Sequence, residues 1–267
     1  MKKLITTCLL SVFTCIPIGK PMVLITSTSL LLFPSSRVYA DIHKSIYNKA
    51  NMKLNLGNYS GAISDYTRII LIKPNFVEAY YQRAIAKSNL GNYAGAIKDY
   101  TKAIEISANA ILWSSETLSV NSYINRGIQK YNLKEYSGAI EDYTKAIEIN
   151  PNDGDGFYNR GNSKKILKDY SGAIKDYTKA IEINPNDIDA FINRGVAKRK
   201  LEDYSEAIKD YTKAIEINPK NVFAHVNRSI AKSYINDLEG SCTDAFVAKF
   251  LGYESDTFNT WIYDNCG

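Results

Sequence analysis

The sequence has little of what catalytic and metal sites are built from. It contains 2 histidines, His43 and His225, which lie near opposite ends of the chain. No metal cluster or catalytic triad based on histidine can therefore be assembled from the centre. No glycine-rich phosphate loop is present, because the glycines recur singly or in pairs at regular intervals. Acid is missing from the start of the chain, where no Asp or Glu precedes Asp41. Setting aside Lys2, Lys3, Lys20 and Arg37 from the 33 basic residues leaves 29 against 28 acidic ones, so the net charge of +5 resides largely in that leader. The near-neutral remainder disfavours nucleic acid as a partner.

Long apolar runs are also absent. Leu4 to Gly19 and Met22 to Phe33 are separated by Lys20-Pro21, and neither reaches the roughly 18 to 20 residues that span a bilayer. Behind Met1-Lys2-Lys3 and ahead of Val38-Tyr39-Ala40, they read as a secretory signal over residues 1–40, cut after Ala40 to leave Asp41 as the new N-terminus. The alternative is an uncleaved anchor built from both runs. The expectation is export to the periplasm or another extracytoplasmic compartment, with membrane attachment only if the segment is retained.

What the chain does have is an internal period. Tyr136-Ser137-Gly138-Ala139-Ile140, Tyr170-Ser171-Gly172-Ala173-Ile174 and Tyr204-Ser205-Glu206-Ala207-Ile208 are spaced by 34 residues, with earlier copies at Tyr59 and Tyr93 and a degenerate one at Leu238. Six repeats follow, at 43–76, 77–110, 120–153, 154–187, 188–221 and 222–255, with an insertion at 111–119 and a tail at 256–267. Each carries two stretches of helical periodicity around a short polar turn such as Gly91-Asn92. In the second stretch Ala139, Tyr143 and Ala146 share one face, as do Ala173, Tyr177, Ala180 and Ala207, Tyr211, Ala214. With Gly127, Gly161 and Gly195 on the first stretches, these small residues permit close backbone approach. Pro74, Pro151, Pro185 and Pro219 end the second helices.

These residues at these spacings resemble the tetratricopeptide repeat, a helix-turn-helix unit of about 34 residues. The resemblance covers about 43–255. It implies an all-α, right-handed superhelical solenoid of stacked hairpins, with 256–267 as a C-terminal capping helix. Phe258, Trp261 and Ile262 would form the inward stripe of that cap. The recurring Arg83, Arg126, Arg160, Arg194 and Arg228 are matched by Asp65, Asp99, Asp142, Asp176, Asp210 and Asp244. They are read as ion pairs tying first to second helices, in preference to a phosphate-reading row. Ser115 is read as the cap of a lengthened first helix in repeat three, with Glu116 near its N-terminus and Trp113 in the preceding insertion.

In this family first helices line the concave face, and protein or peptide ligands are implied. The register places Tyr47, Asn51, Tyr81, Asn89, Tyr131, Tyr158, Asn162 and Arg199 there, a mixture of aromatic, amide and charge that suits a peptide. The alternative for Tyr81 and Tyr158 is packing against neighbouring first helices. Family members that bind free carboxylate tails use a lysine clamp at the position occupied by Tyr47, Tyr81, Ile124, Tyr158 and Ile192, so that clamp is not expected. Cys242 and Cys266 are expected to form a disulfide in an exported chain, the competing reading being two free thiols with one of them buried. The resulting expectation is a non-enzymatic scaffold or adaptor without metal or cofactor. A structural or self-assembling solenoid, or a membrane-anchored assembly factor, is the second reading.

Overall fold

The computed structural model describes residues 36–108 and 114–266. The proposed leader lies outside them, apart from the start of the first helix, as does Trp113. The chain divides between Ala40 and Asp41, and the repeats lie in the second unit. Among the described residues there are 13 helices, none long and apolar enough to cross a membrane.

They form successive hairpins: α1 (Ser36–Asn55) with α2 (Tyr59–Ile72), α3 (Val77–Asn89) with α4 (Tyr93–Ala108), and α5 (Ser114–Asn132) with α6 (Tyr136–Ile149). Then come α7 (Gly154–Ile166) with α8 (Tyr170–Ile183), α9 (Ile188–Lys200) with α10 (Tyr204–Ile217), and α11 (Val222–Tyr234) with α12 (Leu238–Phe250). Helix α13 (Asp256–Cys266) closes the array.

Local chemistry explains the boundaries. Asn58, Asp169, Asp203 and Asp237 accept a hydrogen bond from a first-turn amide of the following second helix. Asp153, Asp187 and Asn221 do the same for first helices, satisfying donors that lack an intrahelical partner. The second helices end at Ile72, Ile149, Ile183 and Ile217, two residues before each proline. Where Ala108 stands in place of that proline, α4 runs on for 16 residues against the usual 14. Helix α5 has 19 residues and starts at Ser114, so part of the 111–119 insertion is helical. Ser115 therefore lies inside the helix and is not its cap, because the backbone turns helical one residue earlier. Glu116 does occupy the first turn.

The turn inside every hairpin passes through the left-handed region at one position. Gly57 and Gly91 occupy it at φ 75° and 73°, and Lys134, Lys168, Glu202 and Asn236 at 62° to 65°. The later repeats tolerate there a conformation that disfavours residues with a Cβ.

Close packing is built on the expected small residues. Tyr66, Tyr100, Tyr143, Tyr177 and Tyr211 are fully buried between hairpins, flanked by alanines. A Cβ added to Gly127, Gly161 or Gly195 would come within 2.6, 2.8 and 2.6 Å of the Tyr143, Tyr177 and Tyr211 rings, respectively. The rings thus lie directly on first-helix backbone. At the end of the array, Phe258 and Ile262 of α13 bury against Val226, Ala245 and Ala248, with Trp261 alongside.

Charged groups lock each hairpin to its neighbour. Arg160 donates from Nε and Nη2 to both oxygens of Asp176 at 2.9 and 2.7 Å, and from Nη1 to Thr144 of the preceding repeat at 3.1 Å. Lys164 meets the same carboxylate at 2.8 Å. The pattern recurs at Arg83, Arg126, Arg194 and Arg228, each with its own Asp, a lysine one turn along and a Thr one repeat back. Tyr80, Tyr123, Phe157 and Phe191 place an aromatic face 5.4 to 5.5 Å from the guanidinium carbon. In the sixth repeat His225 replaces the aromatic residue and lies 3.3 Å from Asp244. Every one of these arginines is held by protein groups, which is the tying role expected from sequence.

Candidate functional site

Which face is hollow follows from the packing. Consecutive first helices touch directly, α3 with α5, α5 with α7, α7 with α9 and α9 with α11, whereas among the described residues consecutive second helices do not approach each other. The stack is narrow along its first helices and fans apart along its second ones. A groove lined by first helices lies on the narrow side.

The groove tyrosines are half-buried and engaged. Tyr81 packs edge-on against Tyr100, with ring centroids 5.7 Å apart, and its hydroxyl accepts from Asn125 of the next first helix at 3.1 Å. Tyr158 repeats this with Tyr177 at 6.0 Å and Asn193 at 3.0 Å. Tyr47 stands 6.0 Å from Tyr66 and 5.2 Å from Phe76. Burial raises the pKa of all three phenols above the ordinary tyrosine range. They therefore stay neutral hydrogen-bonding groups at physiological pH. Packing and exposure coexist, since each ring braces its neighbours while keeping an accessible edge.

Asn51 and Asn162 turn out to be structural partners. They accept the hydroxyls of the buried Tyr66 and Tyr177 at 2.5 and 2.8 Å. Asn89 is exposed at the end of α3 and folds back on its own helix, donating to the Ile85 carbonyl at 2.9 Å. The residue before it, Ser88, faces the next first helix and donates to Gln129 at 2.8 Å. The inward row is thus Ser88, Tyr131, Lys165 and Arg199, a row that Asn89 misses by one residue, or about 100° of helix rotation. Tyr131 packs edge-on against Tyr136 at 5.2 Å.

Lys165 and Arg199 stand apart from the other half-buried cations. Lys165 donates to Asn193 at 2.6 Å, and burial lowers its pKa below the ordinary lysine range. The Arg199 guanidinium lies against the buried Tyr211 hydroxyl and pulls its pKa down, although neither Arg199 Nε nor that hydroxyl makes a hydrogen bond of good geometry. Burial pushes the Tyr211 phenol up to about 12, even with the opposing pull of Arg199. Among the described residues neither cation forms an ion pair. The sequence register already puts Lys165 on the concave face in line with Arg199, but does not show its lack of a counterion. The signal for that placement is that a lysine follows the ladder residue Lys164, in register with Arg199.

Past Arg199 the groove deepens. A cavity of about 330 Å³ lies between α11 and α13, lined by Ile230, Ser233 and Tyr234 on one side and Tyr253, Phe258 and Trp261 on the other. Val226, among its lining residues, occupies the position held by Tyr47, Tyr81 and Tyr158 in earlier repeats. Among the described residues, no cluster of His, Cys, Asp or Glu is placed to hold a metal ion.

Sequence models described as the tetratricopeptide repeat match residues 43–76, 77–109, 120–153, 154–187 and 188–221. No curated protein matches the chain. Among solved structures, the MamA protein is 24% identical, with 68% of this chain and 94% of that one covered at a TM-score of 0.60. YrrB, a TPR protein with an unusual peptide-binding site, is 20% identical, covering 74% and 97% at 0.62. The pilF protein of Pseudomonas aeruginosa is 16% identical, covering 84% and 98% at 0.67. At these identities the likeness is one of fold.

Proposed function

The chain belongs to the tetratricopeptide-repeat family, and from that premise we propose that it is a non-enzymatic scaffold holding a protein or peptide in its first-helix groove. One observation carries this reading. The buried ladder satisfies its own charges, whereas the groove presents phenol edges, amides and two cations without counterions. Such amphipathic groups bind extended polypeptide by contact area and adaptable hydrogen bonding. Affinity capture by the full chain tests it. Tyr81→Ala and Tyr158→Ala, each verified as folded, should reduce recovery of the captured partner several-fold. Lys175→Glu on the exposed side of a second helix should leave recovery unchanged. Undiminished capture by both groove variants would remove the groove from consideration.

We further propose that the scaffold works outside the cytoplasm, with residues 1–40 as its signal. The acid-free leader supports this, as does the terminal cysteine pair. Cys242 on α12 and Cys266 at the end of α13 lie with Cα atoms 5.6 Å apart, within the range that a disulfide bridges. Closing that 24-residue separation would hold the cap with about 3 to 4 kcal/mol in the chain-entropy picture. Intact mass of the exported chain should rise by two hydrogens on reduction. An unchanged mass would mean that the thiols are free.

A further inference from the structure

The C-terminal half of the groove holds two features that neither the ion-pair ladder nor the packed core accounts for. One is the pair Lys165 and Arg199, at the same repeat position on adjacent first helices. The ladder lysines Lys130, Lys164 and Lys198 each meet a buried carboxylate within 3.0 Å. Among the described residues Lys165 and Arg199 meet no carboxylate: Lys165 donates only to the neutral Asn193, and Arg199 leans on the neutral Tyr211 hydroxyl with its buried Nε in no well-formed hydrogen bond. A half-buried guanidinium with an unfilled donor is a poor arrangement in the free protein and a favourable one once an anion arrives. The acids on the same helices, Asp155 and Asp189, lie ten residues earlier, about 15 Å along the axis at 1.5 Å per residue. The groove therefore has a basic edge distinct from an acidic one.

The other feature is the α11–α13 cavity. Its volume of about 330 Å³ falls at the lower end of the range for ligand pockets, and its lining of aromatic rings and serine hydroxyls carries no charge. It is formed by the same first-helix positions that line the groove elsewhere, so the two features lie along one path. Neighbouring first helices are separated by about 8 to 10 Å. From the midpoint between α7 and α9, where Lys165 and Arg199 flank the groove, to that between α11 and α13 is two such steps, or roughly 16 to 20 Å. An extended chain rising about 3.3 Å per residue covers that in about five to six residues.

We propose that this half of the groove binds an extended segment of a partner protein carrying a carboxylate, paired with Lys165 and Arg199, and about five residues away a large apolar side chain that fills the α11–α13 cavity. This inference rests on the groove reading above and adds the chemistry of the segment.

The probe is a set of decapeptide pools with blocked ends, each fixing one Glu and one Phe at separations of one to seven and randomised elsewhere. Binding to the full chain is read by competition in fluorescence anisotropy. Pools with a separation near five should bind about ten-fold more tightly than pools with Gln for Glu or Ser for Phe. A matching set with free C-termini distinguishes a side-chain carboxylate from a terminal one. The Lys165→Met, Arg199→Met double variant should abolish the preference for Glu over Gln, and Trp261→Ala the preference for Phe over Ser. The conservative pair Lys165→Arg, Arg199→Lys should keep the acid preference, which separates charge from folding. If wild type binds peptide without preferring acid, or the folded double variant keeps that preference, the inference fails and the groove reading survives. If no pool binds wild type, both fail.

Discussion

Replacing Asp176 by Ala should destabilise the fourth repeat by about 3 to 5 kcal/mol, because Arg160 and Lys164 would remain half-buried around a missing carboxylate. The penalty comes chiefly from the stranded charges. Removing them too, as Arg160→Met, Lys164→Leu, Asp176→Leu, should therefore recover much of the loss. Repeats contact only their neighbours, so the damage should be local and divide the array. Hydrogen exchange should show protection lost first in α7 and α8, with one denaturant transition replaced by two. A uniform loss across all repeats, or a change below 1 kcal/mol, would contradict this account.

The same ladder gives a pH dependence. Burial opposes ionisation of Asp244, but the hydrogen bonds and charges of Arg228 and Lys232 outweigh it and hold the carboxyl below the ordinary range. A depressed folded value contributes stability above the unfolded pKa, near 3.9 for aspartate, and that contribution disappears as pH falls through the folded value. Stability should therefore drop below about pH 4, and less steeply in Asp244→Asn.

The second large effect is expected at Tyr177. Its ring is fully buried against Gly161 and Tyr158, and Tyr177→Ala should cost about 3 to 5 kcal/mol by opening a cavity between hairpins. Truncating only the hydroxyl separates packing from hydrogen bonding. Tyr177→Phe leaves Asn162 without its 2.8 Å donor and should cost about 1 kcal/mol. Tyr143 has Ile128 where Tyr177 has Asn162, so Tyr143→Phe should be nearly neutral. Chemical denaturation of the pair tests this, and equal losses would refute a role for the amide.

Much of this framework was legible in the sequence because it repeats. Gly161 with Tyr177, and Arg160 with Asp176, recur at a fixed offset in several units, and a residue that recurs from unit to unit must act on contacts that those units share. Lys164 and Thr144 recur as well, yet their part in the ladder was missed, since lysine and threonine also suit a solvated helix face. The groove was read less accurately for the opposite reason. Its residues differ from repeat to repeat, so no recurrence corrected the one-residue offset at Asn89 or exposed Asn51 and Asn162 as supports for buried phenols. The unpaired state of Lys165 depends on what is absent around it, which only three-dimensional placement shows.

The ladder also bears on how an array of this kind changes length. Each carboxylate is neutralised by an arginine and a lysine from its own 34-residue unit, and the one contact that crosses to the previous unit ends on an uncharged threonine hydroxyl. Excising or duplicating a whole unit therefore strands no buried ion at the new junction. A gene that gains or loses copies by recombination in register would yield a chain whose electrostatics are already balanced, so the number of units is free to drift while the design of each unit is held.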